Sequence, residues 1–183
     1  GELPTLIGTC TAYGSIRQSE LITPGGAKPG ESLICTKPLG LETLVNFSLT
    51  HTKLANELFG RKETVALKKK VKMQTCVNEA LALARIGGVS AMHDATEGGF
   101  VAALNEMADA SNVGFLVDFA KLPIPPQMRR LADHFNLTQE QVLATSSTGT
   151  LLAAMPHSQV KRACATLSRI GFNARKVGIF TKS

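Results

Sequence analysis

The sequence predicts an α/β (α+β) fold, one layered sheet with helices packed on it. Three observations predict it. Short apolar, β-prone runs interleave with longer runs of helical periodicity along the whole chain. Gly and Pro punctuate most boundaries between them. The 183 residues, 44% hydrophobic and 19% charged, also suffice to bury a proper core, so residues 1–183 read as one domain.

Taken in order, residues 3–11 are apolar and read as a first strand, and residues 14–30 as a connection. Its Pro24-Gly25-Gly26-Ala27-Lys28-Pro29-Gly30 run excludes regular structure. This lead-in loop is either a plain connector or, with Lys28 beside glycines, a phosphate-facing turn. It is not a Walker loop, because the G-x-x-x-x-G-K-[ST] spacing is absent. Residues 32–36 form a short apolar strand. A helix is expected over 42–59, with Leu44, Val45, Leu49, Leu54 and Leu58 apolar and His51 on its polar face. Lys68-Lys69-Lys70-Val71-Lys72 is the densest charge cluster. A helix over 71–86 carries the stripe Met73, Cys76, Val77, Ala80, Leu81 and Ala84, and Gly87-Gly88 stops it.

Residues 89–92 read as a buried strand that delivers Asp94. The next helix runs to about residue 110, with Phe100, Leu104, Met107 and Ala108 on one face. A strand over 113–119 and a proline-bearing extended connector over 121–126 follow. A helix over 127–135 precedes a second short one after Thr138, where Thr138 and Gln141 have capping-box spacing. Ser146-Ser147-Thr148-Gly149 is a polar loop leading into a strand over 150–155. Val160, Ala163, Cys164, Leu167 and Ile170 mark the last helix, and residues 172–180 a closing strand. There is no repeat, low-complexity tract or internal linker.

Composition narrows the function. A net charge of +6 favours phosphorylated ligands, nucleic acid or an acidic partner. With 5% aromatic residues and no Trp, a stacking platform is poorly supplied, and one lysine cluster without aromatics disfavours nucleic acid. Cys10, Cys35, Cys76 and Cys164 lack metal-ligand spacing and read as reduced, small apolar residues of a cytoplasmic protein. Neither a leader nor an apolar run of about 18 residues is present, so no membrane span is expected.

The stretch Ala91-Met92-His93-Asp94-Ala95-Thr96-Glu97-Gly98-Gly99 organises the chain. Asp94 or Thr96 can cap the following helix, and Asp94 with Glu97 has capping-box spacing. Two glycines in a first turn disfavour helix, so another requirement must select them. One reading is an anion-binding turn, where the absence of Cβ lets phosphate approach the amides; the other is a capped helix packed tightly at its start.

Residues 21–36, whose Ile22 onward reads ITPGGAKPGESLICT, resemble the start of the C-terminal domain in the aminoimidazole ribonucleotide synthetase (PurM-like) superfamily. Lys37-Pro38-Leu39-Gly40 resembles a segment of selenophosphate synthetases. HDATEGG, from His93 to Gly99, resembles the D-x-T-x-G-G turn of hydrogenase-maturation carbamoyl dehydratases. The elements after it are also similar in order, so the resemblance spans nearly the whole chain.

The resemblance implies a mixed sheet with helices in layers, joined to an N-terminal domain that this chain does not contain. That partner domain would carry the magnesium-binding aspartates and most of the ATP site, and would pair in a homodimer. ATP and magnesium are thus expected for the full-length protein and neither for this fragment, which is expected to be inactive alone. Carried over residue by residue, Asp94, Thr96, Gly98 and Gly99 line the cleft, Gly25, Gly26 and Gly30 belong to the lead-in loop, and Ser147, Thr148 and Gly149 form a third segment. Asp94 is the catalytic candidate, orienting substrate or a metal-bound water; no metal ligand is assigned, and the other nine residues face a small phosphorylated ligand.

The implied activity is phosphoryl activation of an amide or similar oxygen; the alternative is a non-catalytic nucleotide-binding scaffold or regulatory protein. Leu41-Glu42-Thr43 stands where selenophosphate synthetases carry Thr-Gly, and His93 and Glu97 stand where carbamoyl dehydratases often carry Arg. The chain ends Phe180-Thr181-Lys182-Ser183, without the acceptor Cys of those dehydratases.

Overall fold

Five short strands pair into one sheet in the order β2-β4-β1-β5-β3, in a computed structural model that describes residues 8–183. The strands are β1 (Ser32–Thr36), β2 (Ala91–Asp94), β3 (Gly114–Val117), β4 (Leu151–Met155) and β5 (Ala174–Thr181). All four pairings are antiparallel, where a mixed sheet was implied. β1 and β4 lie centrally and are buried at every residue, which is why they read as unbroken apolar runs instead of alternating ones.

Among the described residues eight α-helices cover this sheet and its end: α1 (Leu41–Thr50), α2 (Thr52–Phe59), α3 (Arg61–Lys69), α4 (Val77–Ile86), α5 (Gly99–Ser111), α6 (Pro126–Phe135), α7 (Gln139–Leu143) and α8 (His157–Arg169). Strand alternation splits the core by face. Leu33, Cys35, Leu152, Ala154 and Val177 pack with Phe100, Leu104 and Met107 of α5. Ile34, Ala153 and Met155 face the other way, onto Leu83 of α4 and Ala163 and Leu167 of α8. A third cluster, including Leu44, Phe59, Leu67, Met128 and Leu131, joins α1, α2, α3 and α6 at one end of the sheet.

Several elements differ from expectation. Of the strand expected over 3–11, residues 3–7 lie outside the described residues, and 8–11 are exposed without strand pairing. The helix expected over 42–59 breaks at His51. There Thr50 and Thr52 hydroxyls donate back to the carbonyls of Asn46 (2.8 Å) and Ser48 (3.0 Å), a competition that bends helices. α3 was not anticipated, since only Thr64 and Leu67 of it are buried.

The helix expected over 71–86 begins at Val77, after a 3₁₀ turn at Lys70–Met73. Its Val77 and Leu81 are 58% and 48% exposed, and the buried line runs through Glu79 and Leu83. Thr138 does cap α7 with both reciprocal bonds of a capping box. Among the described residues no helix is long and apolar enough to cross a membrane. The cysteines are free; Cys35 is buried, which pushes its thiol up to about 12, while Cys10 is exposed.

Candidate functional site

Asp94 ends β2 at the sheet edge, and the chain turns at once into α5. Gly98, at φ 67°, is the N-cap, and no side chain caps the helix. The cap expected from Asp94 or Thr96, and the Asp94/Glu97 box, do not form. Thr96 instead donates its hydroxyl hydrogen to Asp94 Oδ2, fixing a carboxylate whose side chain is 47% exposed. Among the described residues the amides of Thr96, Glu97 and Gly98 meet no acceptor, and Glu97 and Gly98 are exposed. Unpaired N–H groups at the positive end of a helix attract phosphate oxygens.

Gly99 is different. Its amide donates to Thr96 O at 3.3 Å, and the residue is buried at φ 62°. A Cβ there would lie 2.4 Å from Thr145 O and 2.6 Å from Leu143 O. This glycine is selected by the close approach of the chain after α7, as the tight-packing reading requires, and not by ligand access.

The third segment does meet the turn. Ser147 donates its amide hydrogen to Ala95 O (3.0 Å), while Ala95 donates to Thr150 O (2.9 Å). The buried Ser147 hydroxyl accepts from Gly40 N–H (2.7 Å) and donates to Thr145 O (3.1 Å), which makes it a clamp between loops. The Thr148 and Ser146 hydroxyls both donate to Glu42 Oε2. Gly149 is buried at φ 94°, and a Cβ there would lie 2.2 Å from Met73 O.

The lead-in loop lies elsewhere. Gly25 abuts Ala110, the Gly26 and Ala27 amides donate to Ser111 Oγ (3.0 Å each), and Gly30 N–H donates to Phe180 O (2.8 Å). Ala110 and Ser111 end α5, whose 13 residues separate them from the Gly98 turn by about 20 Å. Gly25 and Gly26 are therefore not brought to the turn.

Three features escaped the sequence reading. His93 Nε2 lies 2.5 Å from Glu106 Oε2 and its Nδ1 3.5 Å from Asp94 Oδ1, so the ring bridges two carboxylates beside the turn. Glu42 is the second. Burial opposes its ionisation, but hydrogen bonds from Ser146, Thr148 and Asn46 and the Thr148 backbone outweigh that and hold its carboxyl below the usual range. A depressed folded-state pKa adds stability that is present above the ordinary carboxylate value and lost as pH falls through the folded one. Glu42→Gln is therefore expected to leave a urea midpoint series shallower below about pH 4.3 than the parent's. A parallel decline in both proteins would refute the assignment.

The third feature is buried beneath these loops. Lys37 holds φ 55° and donates its ammonium hydrogens to Met73 O (3.1 Å), Thr75 O (2.6 Å) and Gly149 O (3.0 Å). Glu79 pairs with the same ammonium; the two side chains are 2% and 0% exposed. Among the described residues the Lys37 ammonium is the one polar partner of the Glu79 carboxylate, so this ion pair alone answers its charge. A charge at a core position of α4, answered by a lysine directly after β1, was the available signal.

Burial first, then the Asp94 and Glu79 carboxylates, raise the Cys76 thiol above its ordinary value, which keeps it protonated. The hydroxyls of Thr96, Ser146, Ser147 and Thr148 are engaged within the protein, which leaves the exposed amides and the Asp94 carboxylate as the groups open to a ligand.

An antiparallel sheet with helices packed on both faces defines a layered α/β domain class. Residues 28–183 match the family described as "AIR synthase related protein, C-terminal domain", and the chain belongs to that family. It is 27% identical over 172 residues to the carbamoyl dehydratase HypE of Cupriavidus necator, covering 93% of this chain and 46% of that protein. It is 26% identical over 195 residues to the selenide, water dikinase of Myxococcus xanthus, covering 90% of this chain and 52% of that one. A crystal structure of HypE in complex with ATP shares the fold at a TM-score of 0.68 and 18% identity, over 92% of this chain and 48% of that one. The chain thus spans about half the length of the relatives it matches.

Proposed function

We propose that this chain is the C-terminal, substrate- and phosphate-binding part of an ATP-dependent synthetase-type enzyme that activates an amide or similar oxygen by phosphoryl transfer. The observation that carries this reading is the turn after β2, where three amides without acceptors adjoin Asp94 held by Thr96. In the reaction an acceptor oxygen attacks the terminal phosphorus of ATP; the new P–O bond forms as the bond to ADP breaks. Such chemistry needs positioning and charge stabilisation more than a side-chain nucleophile. Asp94 orients the acceptor, and the Thr96, Glu97 and Gly98 amides hold phosphoryl oxygens. The family resemblance assigns magnesium to the rest of the protein, and no step here runs through it. The relatives' names support either HypE-like or selenophosphate synthetase-related chemistry.

In the full-length protein, Asp94→Ala is expected to lower ATP turnover by roughly 10²-fold, the scale of losing a transition-state contact. Unchanged phosphate release would remove Asp94 from the mechanism. A second reading, a nucleotide-binding scaffold without turnover, is favoured by one observation: Glu42 already occupies the Ser146 and Thr148 hydroxyls. It requires ATP binding by calorimetry and no ADP formation with carbamoyl or selenide acceptors.

A further inference from the structure

On the face opposite α5, α4 and α8 enclose an open groove of about 510 Å³. Arg162, Ala165, Thr166 and Arg169 line it from α8 at i, i+3, i+4 and i+7, and Ala82, Arg85 and Ile86 line it from α4. Alanines leave the floor low, and Ile86 and Ile170 make it apolar, while three guanidinium groups stand around it. Among the described residues none of these arginines has an ion pair or hydrogen bond; the ion pairs lie at Arg17, Lys37, His93, Lys121 and Arg130. Nor is any acidic side chain of these helices free to neutralise them. The only one, Glu79, is turned inward to Lys37, and no Asp or Glu follows Glu140 in the sequence.

We propose that this groove docks an acidic amphipathic helix of a partner protein. The arrangement of the charges selects that occupant. Arg162 and Arg169 stand about 10 Å apart along α8, with apolar floor between them, and Arg85 faces them from α4. Cations that bind one phosphate converge on a point; these are spread along a line, matching carboxylates about two turns apart on a helix whose apolar side rests on Ala82, Ala165 and Ile170. Guanidinium groups suit such pairing because they are weakly hydrated and fork toward carboxylates. The inference does not rest on the proposed reaction, since it uses none of the residues around Asp94.

The test is fluorescence anisotropy of the full-length protein with a labelled helical peptide carrying an Ala/Leu face and Glu residues seven positions apart. Its control has Gln for every Glu. The Glu peptide is expected to bind at least tenfold more tightly than the Gln peptide, and Arg162→Glu/Arg169→Glu to lower its affinity at least tenfold. Ala165→Phe, which fills the floor without altering charge, is expected to weaken it as well. All three positions are exposed, and unchanged thermal melts establish that the variants fold. Lys68→Glu/Lys69→Glu, an equal charge change elsewhere, is expected to leave binding unaltered. Equal loss in that variant, equal binding of the Gln peptide, no binding, or one-for-one displacement by inorganic phosphate at constant ionic strength would each overturn the proposal.

Discussion

Lys37→Met is expected to lower the unfolding free energy by about 3–5 kcal/mol, read from urea denaturation, because it strands the Glu79 carboxylate in the interior. The ammonium also satisfies the carbonyls of Met73, Thr75 and Gly149, and the methionine supplies no donor to them. Glu79→Gln is expected to destabilise less, since Lys37 keeps those three acceptors and the amide fits the same space. The double variant Lys37→Met/Glu79→Gln should lose less than the two single changes added together, because no lone charge remains buried. A loss below about 1 kcal/mol in Lys37→Met would show that water reaches the pair, contrary to its burial. Lys37 also links the residues before α4 to Gly149, so the same substitution should loosen the 146–149 loop that meets the Asp94 turn. Faster amide exchange there than in β5 would register it.

The sheet and α5 were legible because burial there is periodic and uninterrupted. Phe100, Leu104 and Met107 recur at helical spacing and are all buried, and β1 and β4 are apolar runs enclosed on both faces. α4 was placed partly out of phase: Cys76 and Ala80 pack on the core as expected, but Val77 and Leu81 are exposed, because Glu79 sits on the core line and a carboxylate at that position reads as solvent-facing. α3 buries too few side chains to write a stripe, and around His51 the local signal of a break was the pair Thr50 and Thr52, whose hydroxyls bond back to the helix. At the turn, the glycines and the Asp94 and Thr96 that bond to each other lie within six residues of one another in the sequence. What holds the site is not local: Glu42 meets Ser146 and Thr148 across 104 and 106 residues, and Lys37 meets Gly149 across 112. Such pairs exist only once the sheet has brought the loops after β1 and before β4 together.

Gly99→Ala is expected to destabilise by roughly 3 kcal/mol, from a left-handed backbone that disfavours a Cβ by about 1–2 kcal/mol and from overlap with two main-chain oxygens. Thr145 O and Leu143 O belong to the chain leaving α7, whose 138–141 box and contacts to α5 resist displacement, so the strain cannot relax through a rotamer. Gly30→Ala isolates the conformational part, for φ is 89° there and no atom lies near the added methyl; about 1 kcal/mol is expected. The difference between the two melting curves measures the packing contribution at Gly99. If the variants lose equal stability, α5 is free to shift against the chain after α7, and the Thr96, Glu97 and Gly98 amides are not held in place by that contact. If Gly99→Ala loses more and ATP affinity of the full-length protein falls with it, the buried glycine acts on the site by fixing where the exposed amides point.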